Sequence, residues 1–448
     1  MSPLSAVSLF SNCGVGDLGF KQAGFRFDVM AELDWRRLEV AQLNHPESTC
    51  IPGDLRVTWK QVVKTYKSLH DSPPALLAAC PPCQGMSSAR SGRGRESDAD
   101  AGSRDPRNLL VTVIVNVARA LKPRIIVVEN VPAFLTRSVR DPKTAKPISA
   151  ALLLINSLAR SYRVYPVLAD LADYGVPQFR KRAFLTLVRK GEQGVDWLRE
   201  SGLVPFPSPT HAAEYGAEPP VSLRQALKYL DARPLDAKDP DSARDVSDPM
   251  HFVPVWTDHR YPMVAAIPPD SGRSAWENDI CPSCVADVAD RDRATCHQCG
   301  TRLLRPTVLR EGEWSLVKGF RNSSYRRMRS DTPSATITTA SGHIGSDLTI
   351  HPWENRLLSP RECAHLQTIP HDFNWGDALR RWGATNVRDM IGEAVPPRFT
   401  YLHGLALAGL VGRQSEVEYL PAVDKRVAMA RQKLEQAKLQ VASATESQ

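Results

Sequence analysis

The run Arg124-Ile125-Ile126-Val127-Val128 is almost continuously β-branched and has no polar face. A strand built from it must be covered on both sides, as a central strand of a parallel sheet is. Leu109 to Leu121 ahead of it has helical spacing and stops at Lys122-Pro123, where proline cannot continue a helix. Similar runs recur up to about residue 190. Ala6 to Phe10, Phe27 to Ala31, Ala75 to Ala79, Arg163 to Leu168 and Ala183 to Val188 read as strands, and Ala150 to Ala159 reads as a helix. Strands alternating with helices predict an α/β fold: a mostly parallel sheet with helices on both faces.

In such sheets ligands bind outside the carboxyl ends of the strands, so the residues just past each run matter most. After the first comes Ser11 to Phe20, in which Gly14, Gly16 and Gly19 spell G-x-G-x-x-G. Glycines let backbone approach a ligand where a Cβ would clash. The second run ends at Glu32, whose carboxylate can accept both hydroxyl protons of a ribose. Together these predict a nucleoside-containing cofactor, without separating a nicotinamide dinucleotide from S-adenosylmethionine. Asp54, after a third run, is a surface turn or a partner for an adenine amino group.

The run Ala75 to Ala79 is stopped by Pro81-Pro82, and Cys83 follows on that stiff turn. A thiolate aimed from a rigid loop is a nucleophile; a free cysteine is otherwise a small buried hydrophobe. Glu129 ends the neighbouring run, placed for acid–base work. Arg180 and Arg182 lie two apart, so extended backbone puts them on one face, where paired guanidiniums suit phosphate or carbonyl oxygens. Between Met86 and Asn108 a polar stretch carries Arg90, Arg93, Arg95 and Arg104, as a lid or a solvated linker would.

From about Arg189 to Thr349 proline and charge rise and periodicity fades, which predicts a second, irregular domain. Within it Cys281, Cys284, Cys296 and Cys299 have the spacing C-x₂-C-x₁₁-C-x₂-C, that of a closed, structural Zn²⁺ site; His297 is a weaker candidate ligand. The chain has nine cysteines, too dispersed for a disulfide framework and consistent with a reducing compartment. Its net charge of +8 suits a polyanionic partner. No apolar run approaches membrane-spanning length and no signal-peptide pattern opens the sequence, so a cytoplasmic protein is expected.

These stretches, in this order, resemble the C5-cytosine DNA methyltransferase family. Phe10 to Gly19 resembles its cofactor loop, Pro82-Cys83-Gln84 its nucleophile motif, Asp105-Pro106-Arg107-Asn108 the motif after the nucleophile loop, and Glu129-Asn130-Val131 its acid motif. Gln178-x-Arg180-x-Arg182 resembles its Q-x-R-x-R, and Arg356 to Gln367 and Gly392 to Pro397 its last two motifs. The resemblance implies a Rossmann-like domain that transfers methyl from S-adenosylmethionine to C5 of a flipped cytosine in double-stranded DNA. It makes Cys83 the nucleophile, Glu129 the group at N3, Arg182 the holder of the cytosine O2 and Arg180 a phosphate contact. It assigns Phe10, Asn12, Gly14, Gly16, Glu32, Asp54, Pro82, Leu110 and Glu393 to the cofactor. The same chemistry on tRNA is the alternative.

Asn12, Val15 and Cys80 stand where glycine is usual, and Glu393 where asparagine is. Asparagine tolerates the left-handed conformation, so the turn at Asn12 can survive. The expected organisation is a catalytic domain over 1–190, target recognition with the zinc ribbon over 191–375, a return to the catalytic domain over 376–420 and a helical tail over 421–448. A monomer, associated with the nucleoid and serving a restriction or phage-defence system with its partner proteins, is expected.

Overall fold

A computed structural model describes residues 2–82, 106–318, 324–346 and 348–446. Its centre is a seven-stranded sheet. The strands are β1 (Leu4–Leu9), β2 (Phe25–Glu32), β3 (Thr49–Pro52), β4 (Leu76–Ala79), β5 (Ile125–Asn130), β8 (Tyr162–Asp170) and β9 (Lys181–Arg189), in the order β3-β2-β1-β4-β5-β9-β8. A hairpin of β6 (Ser138–Arg140) and β7 (Pro147–Ser149) lies outside it. β1 to β5 pair in parallel, and β9 is antiparallel to both β5 and β8. The strand order therefore turns around between β1 and β4, where a doubly wound sheet opens a crevice.

The β-branched run is β5, and every residue of it is buried. Its side chains alternate between two apolar layers, Ile126 and Val128 into one and Ile125 and Val127 into the other. The first layer is closed by α3 (Leu55–Leu69), α4 (Val111–Leu121), α5 (Ala150–Leu158) and α12 (Lys425–Glu446). On α12, Val427, Ala430, Leu434 and Ala437 turn inward, so the tail is a helix packed on the body. The second layer is closed by α1 (Val15–Gln22), α2 (Trp35–Asn44), α6 (Gln193–Glu200) and α11 (Pro397–Leu410). α11 crosses α1 closely: a Cβ on Gly19 would run into the Pro397 carbonyl and Thr400 Oγ1, and that hydroxyl donates to the Gly16 carbonyl at 2.7 Å. Gly19, the third glycine of the motif, thus serves helix packing.

Residues just past 190 stay in this body. Val195, Leu198, Val204 and Phe206 share a core with Phe184 and Phe399, and β10 (Leu203–Pro207) pairs with β13 (Tyr419–Pro421). The following region holds α7 (Leu223–Leu230), α8 (Arg260–Ala265) and a hairpin of β11 (Thr307–Arg310) with β12 (Glu313–Leu316). α9 (Pro360–Leu366) starts with Ser359 and Glu362 in a reciprocal capping box and Pro360 in the first turn. α10 (Ala378–Glu393) is interrupted at Gly383, whose φ is 77°. Both pack with Cys13 and Val15 of the first loop. Among the described residues no helix is long and apolar enough to cross a membrane.

Candidate active site

A cleft of about 1940 Å³ opens along the carboxyl ends of β1, β2, β4 and β5. It is bordered by Phe10, Asn12, Gly16, Glu32, Asp54, Pro82, Leu110, Glu129, Arg180, Arg182 and Glu393, so most of the residues singled out above meet in one place. Cys83 and the arginines from Arg90 to Arg104 lie outside the described residues. Gly14 does not border the cleft. It is the N-cap of α1 at φ 76°, and a Cβ there would meet the His45 ring, whose Nε2 lies 2.9 Å from the Gly14 carbonyl.

The first loop is tightly coiled: Phe10, Asn12 and Gly14 all have positive φ, 57°, 50° and 76°. Asn12 pays for its conformation with two bonds. Its N–H donates to Glu32 Oε2 at 2.9 Å, and its side-chain amide donates to the Met390 carbonyl at 2.8 Å. Glu32 also accepts from the N–H groups of Leu33 and Asp34, at 2.8 and 3.3 Å. Burial pushes its carboxyl above the usual range, against the pull of Arg37. Asp54 caps α3, accepting from the Arg56 N–H at 2.8 Å, and the Arg56 guanidinium holds its carboxyl below the usual range. Turn and cleft wall are both true of it. Glu393 accepts from Arg37 Nη1 at 2.5 Å, an ion pair between α2 and the end of α10.

At the other end of the cleft strand direction decides the geometry. β9 runs against β5, with Asn130 opposite Ala183. The start of β9 therefore shares a sheet edge with the end of β5. Arg182 Nε lies 2.9 Å from Glu129 Oε1. Asn130, beside it, was given no role by the sequence reading. Its side-chain amide donates to the Pro81 carbonyl at 2.9 Å and its Oδ1 accepts from the Val131 N–H at 2.9 Å, which fixes the proline turn immediately before Cys83. A polar side chain next to Glu129, at the end of an apolar run, was the signal available. Burial, reinforced by Glu129, pushes the Cys80 thiol well above its ordinary value. Asp17 was also missed: it borders the cleft, accepts from Ser8 Oγ at 2.9 Å, and burial raises its carboxyl to about 7.

Arg180 corrects an expectation. Its side chain is almost wholly enclosed, at 2% exposure. Nη1 donates to the Ile337 carbonyl at 3.0 Å, and Nη2 to the carbonyls of Gly392 and Ala394 at 3.0 and 2.9 Å. Its N–H groups tie three backbone segments together, which leaves them no phosphate to reach. Gln178 does related work, bonding Leu366, Gln367 and the Ile337 N–H.

Away from the cleft, the Sγ atoms of Cys281, Cys284, Cys296 and Cys299 all lie within 4.8 Å of one another. The pairs Cys281–Cys299 and Cys284–Cys296 are both 3.6 Å apart. A metal bound by four thiolates at about 2.3 Å puts the sulfurs roughly 3.8 Å apart, so the four donors fit a tetrahedral ion. The two knuckles are alike: Val285 N–H bonds the Cys281 carbonyl at 3.1 Å, and Gly300 N–H bonds that of Cys296 at 3.0 Å. His297 is not among the clustered ligands. Beside the cluster, Arg305 is fully buried and donates to the carbonyls of Asn278, Val288, Asp290 and Arg293 and to Asp279. Arg302 stacks on Trp314, 3.7 Å from the ring centre.

The family model described as C-5 cytosine-specific DNA methylase matches residues 4–403. Among curated proteins, the chain is 27% identical over 403 residues to the type II methyltransferase M1.HgaI of Avibacterium volantium, covering 88% of this chain and 95% of that one. It is 25% identical over 446 residues to the type II methyltransferase M.AgeI of Thalassovita gelatinovora, covering 88% and 96%. Among solved structures, an E. coli prophage-encoded protein described as a DNA modification methyltransferase aligns with TM-score 0.52 at 20% identity, over 92% of this chain and 100% of that one.

Proposed function

The chain belongs to the C-5 cytosine-specific DNA methylase family, and from that membership we propose how its residues divide the work of a DNA cytosine-5 methyltransferase. The observation that carries the reading is the shared sheet edge: Glu129 paired with Arg182, beside a proline turn that Asn130 holds by the Pro81 carbonyl. Cys83 is the next residue after that turn.

Cytosine C5 is a poor nucleophile while the ring is intact. Addition of the Cys83 thiolate at C6 makes C5 enamine-like. Glu129 holds the proton that N3 gains as charge moves there, and Arg182 holds both Glu129 and the cytosine O2. S-adenosylmethionine, when bound, supplies a methyl group activated by its sulfonium. The coiled loop from Phe10 to Gly16, Glu32 and Asp54 fit its nucleoside: an aromatic face, a carboxylate for the ribose hydroxyls and one for the adenine amino group. Pro82, Leu110 and Glu393 border the same cleft. Loss of the C5 proton then expels the Cys83 sulfur by β-elimination. The target base must leave the duplex first, at a few kcal/mol.

The residues between the end of β10 and α9 form the target-recognition region, and the four-cysteine cluster holds one Zn²⁺ that braces it. With no open position such a site activates no water. The names of the relatives support a type II restriction-modification setting; we place the protein as a monomer in the cytoplasm, at the nucleoid. Bisulfite sequencing of DNA from cells expressing it should show 5-methylcytosine at one recurring site, and purified protein should methylate duplex DNA but not tRNA. Absence of methylation on duplex DNA would overturn the reading.

The zinc assignment has its own test. Purified protein should carry about one zinc per chain. Cys296→Ser with Cys299→Ser should lose it and weaken binding to the recognised site by about tenfold or more, with cofactor affinity nearly unchanged. Wild-type protein purified without chelators and free of zinc would sink the site.

A further inference from the structure

Gln178 to Arg180 leads into β9, and burial alternates along Gln178, Phe179, Arg180 and Lys181. Gln178 and Arg180 point inward, at 0% and 2% exposure, committed to backbone partners on three other segments. Between them Phe179 points outward at 45% exposure, and Lys181 is exposed as well. Exposed on either side of the buried Arg180, they share the outer face. Both border the cleft that holds Glu129 and Arg182.

A lone exposed phenylalanine needs no explanation. This one is unusual in how firmly it is presented. Its N–H donates to the Ser334 carbonyl at 2.9 Å, and its carbonyl accepts from Thr336 Oγ1 at 2.6 Å. The residues on both sides are anchored in the interior. A ring held on fixed backbone has little entropy left to lose when it contacts a flat partner. Lys181 adds a cation one strand-face step away. Its cross-strand neighbour is Asp170, whose Oδ1 already accepts from the N–H groups of Arg180 and Ala172.

We propose that Phe179 and Lys181 form a DNA contact at the mouth of the active site, Phe179 stacking on a base beside the flipped cytosine and Lys181 meeting a backbone phosphate. The phosphate contact that the family resemblance implies for Arg180 thereby passes to its outward neighbour. The proposal rests on the DNA-methylating reading above, and it names which side chains of the motif touch the duplex.

The test uses the full-length protein and a duplex carrying the site found by bisulfite sequencing, with 2-aminopurine beside the target cytosine. Phe179→Ala should weaken DNA binding by about tenfold and change the 2-aminopurine emission of the complex. Phe179→Trp should restore both, because any large aromatic face can stack. Lys181→Ala should reduce the slope of log affinity against log salt by about 0.9, as one lost phosphate contact requires, and Lys181→Arg should keep it. Cofactor affinity, measured alongside, should stay at the wild-type value and reports that the fold is intact. Unchanged DNA affinity in Phe179→Ala, or an unchanged salt slope in Lys181→Ala, would overturn the contact. In either case wild-type protein would still methylate the duplex, whereas failure of the underlying reading would leave wild-type protein inactive on it.

Discussion

Cys83→Ala is expected to reduce methyl transfer by roughly four orders of magnitude or more, because without the thiolate C5 is never activated. Cofactor binding should persist, since most residues assigned to it, Phe10 to Gly16, Glu32 and Asp54, lie after β1, at the end of β2 and after β3, and the substitution leaves Pro82, Leu110 and Glu393 in place. Duplex DNA with 5-fluorocytosine at the target should become covalently attached to wild-type protein but not to the variant. Fluorine at C5 cannot leave as a proton, so β-elimination is blocked and the sulfur stays on C6. Peptide mapping should place the adduct on Cys83. Cys80, three residues earlier, is the competing candidate, and its surroundings argue against it: burial and the adjacent Glu129 keep it a neutral thiol. Wild-type turnover in Cys83→Ala, or an adduct on Cys80, would remove Cys83 from the mechanism.

Glu129→Gln should lower turnover by about 10²- to 10⁴-fold, the range for loss of a positioned acid or base, with a much smaller loss of DNA affinity. The amide keeps the shape of the side chain but has no proton to exchange with N3. It also removes the charge partner of Arg182, whose Nε sits 2.9 Å from the carboxylate. Single-turnover rates and equilibrium binding, measured on the same duplex, separate the two effects. Parallel losses in rate and affinity would make Glu129 a binding group instead.

The sheet was legible because its signal is local. Ile125 to Val128 must be covered on both faces whatever else the chain does, and every residue of that strand is buried. The sites at strand ends followed from it, since chain direction puts Phe10, Glu32 and Glu129 along one edge. Side-chain roles that depend on distant segments were not legible. Arg180 and Arg182 look equivalent in sequence, and only the arrival of Ile337, Gly392 and Ala394 makes one of them a backbone clamp. Arg305 is a similar case, since four carbonyls of the ribbon converge on it. The β-prone stretch Asp331 to Thr339 forms no regular strand. Its backbone groups go to Pro177 and Phe179 and to the Gln178 side chain, across a gap that composition cannot reveal. The cysteine cluster was the opposite case, because the spacing alone foretold that the four thiols would come together.

The crossing of α11 over α1 has a consequence for how the protein is made. The hydroxyl of Thr400 bonds a carbonyl 384 residues earlier, and the amide of Asn12 bonds one 378 residues later. The loop after β1 is made early relative to these partners, yet its walls arrive only 378 to 384 residues later. At roughly 5–20 residues per second, the ribosome needs some 20–80 s to bring those partners into reach. Until then the apolar face of the sheet lacks the cover that Phe399, Leu407 and Leu410 give it. The cleft, which Val395 and Thr400 border, is therefore closed only after α11 has been made.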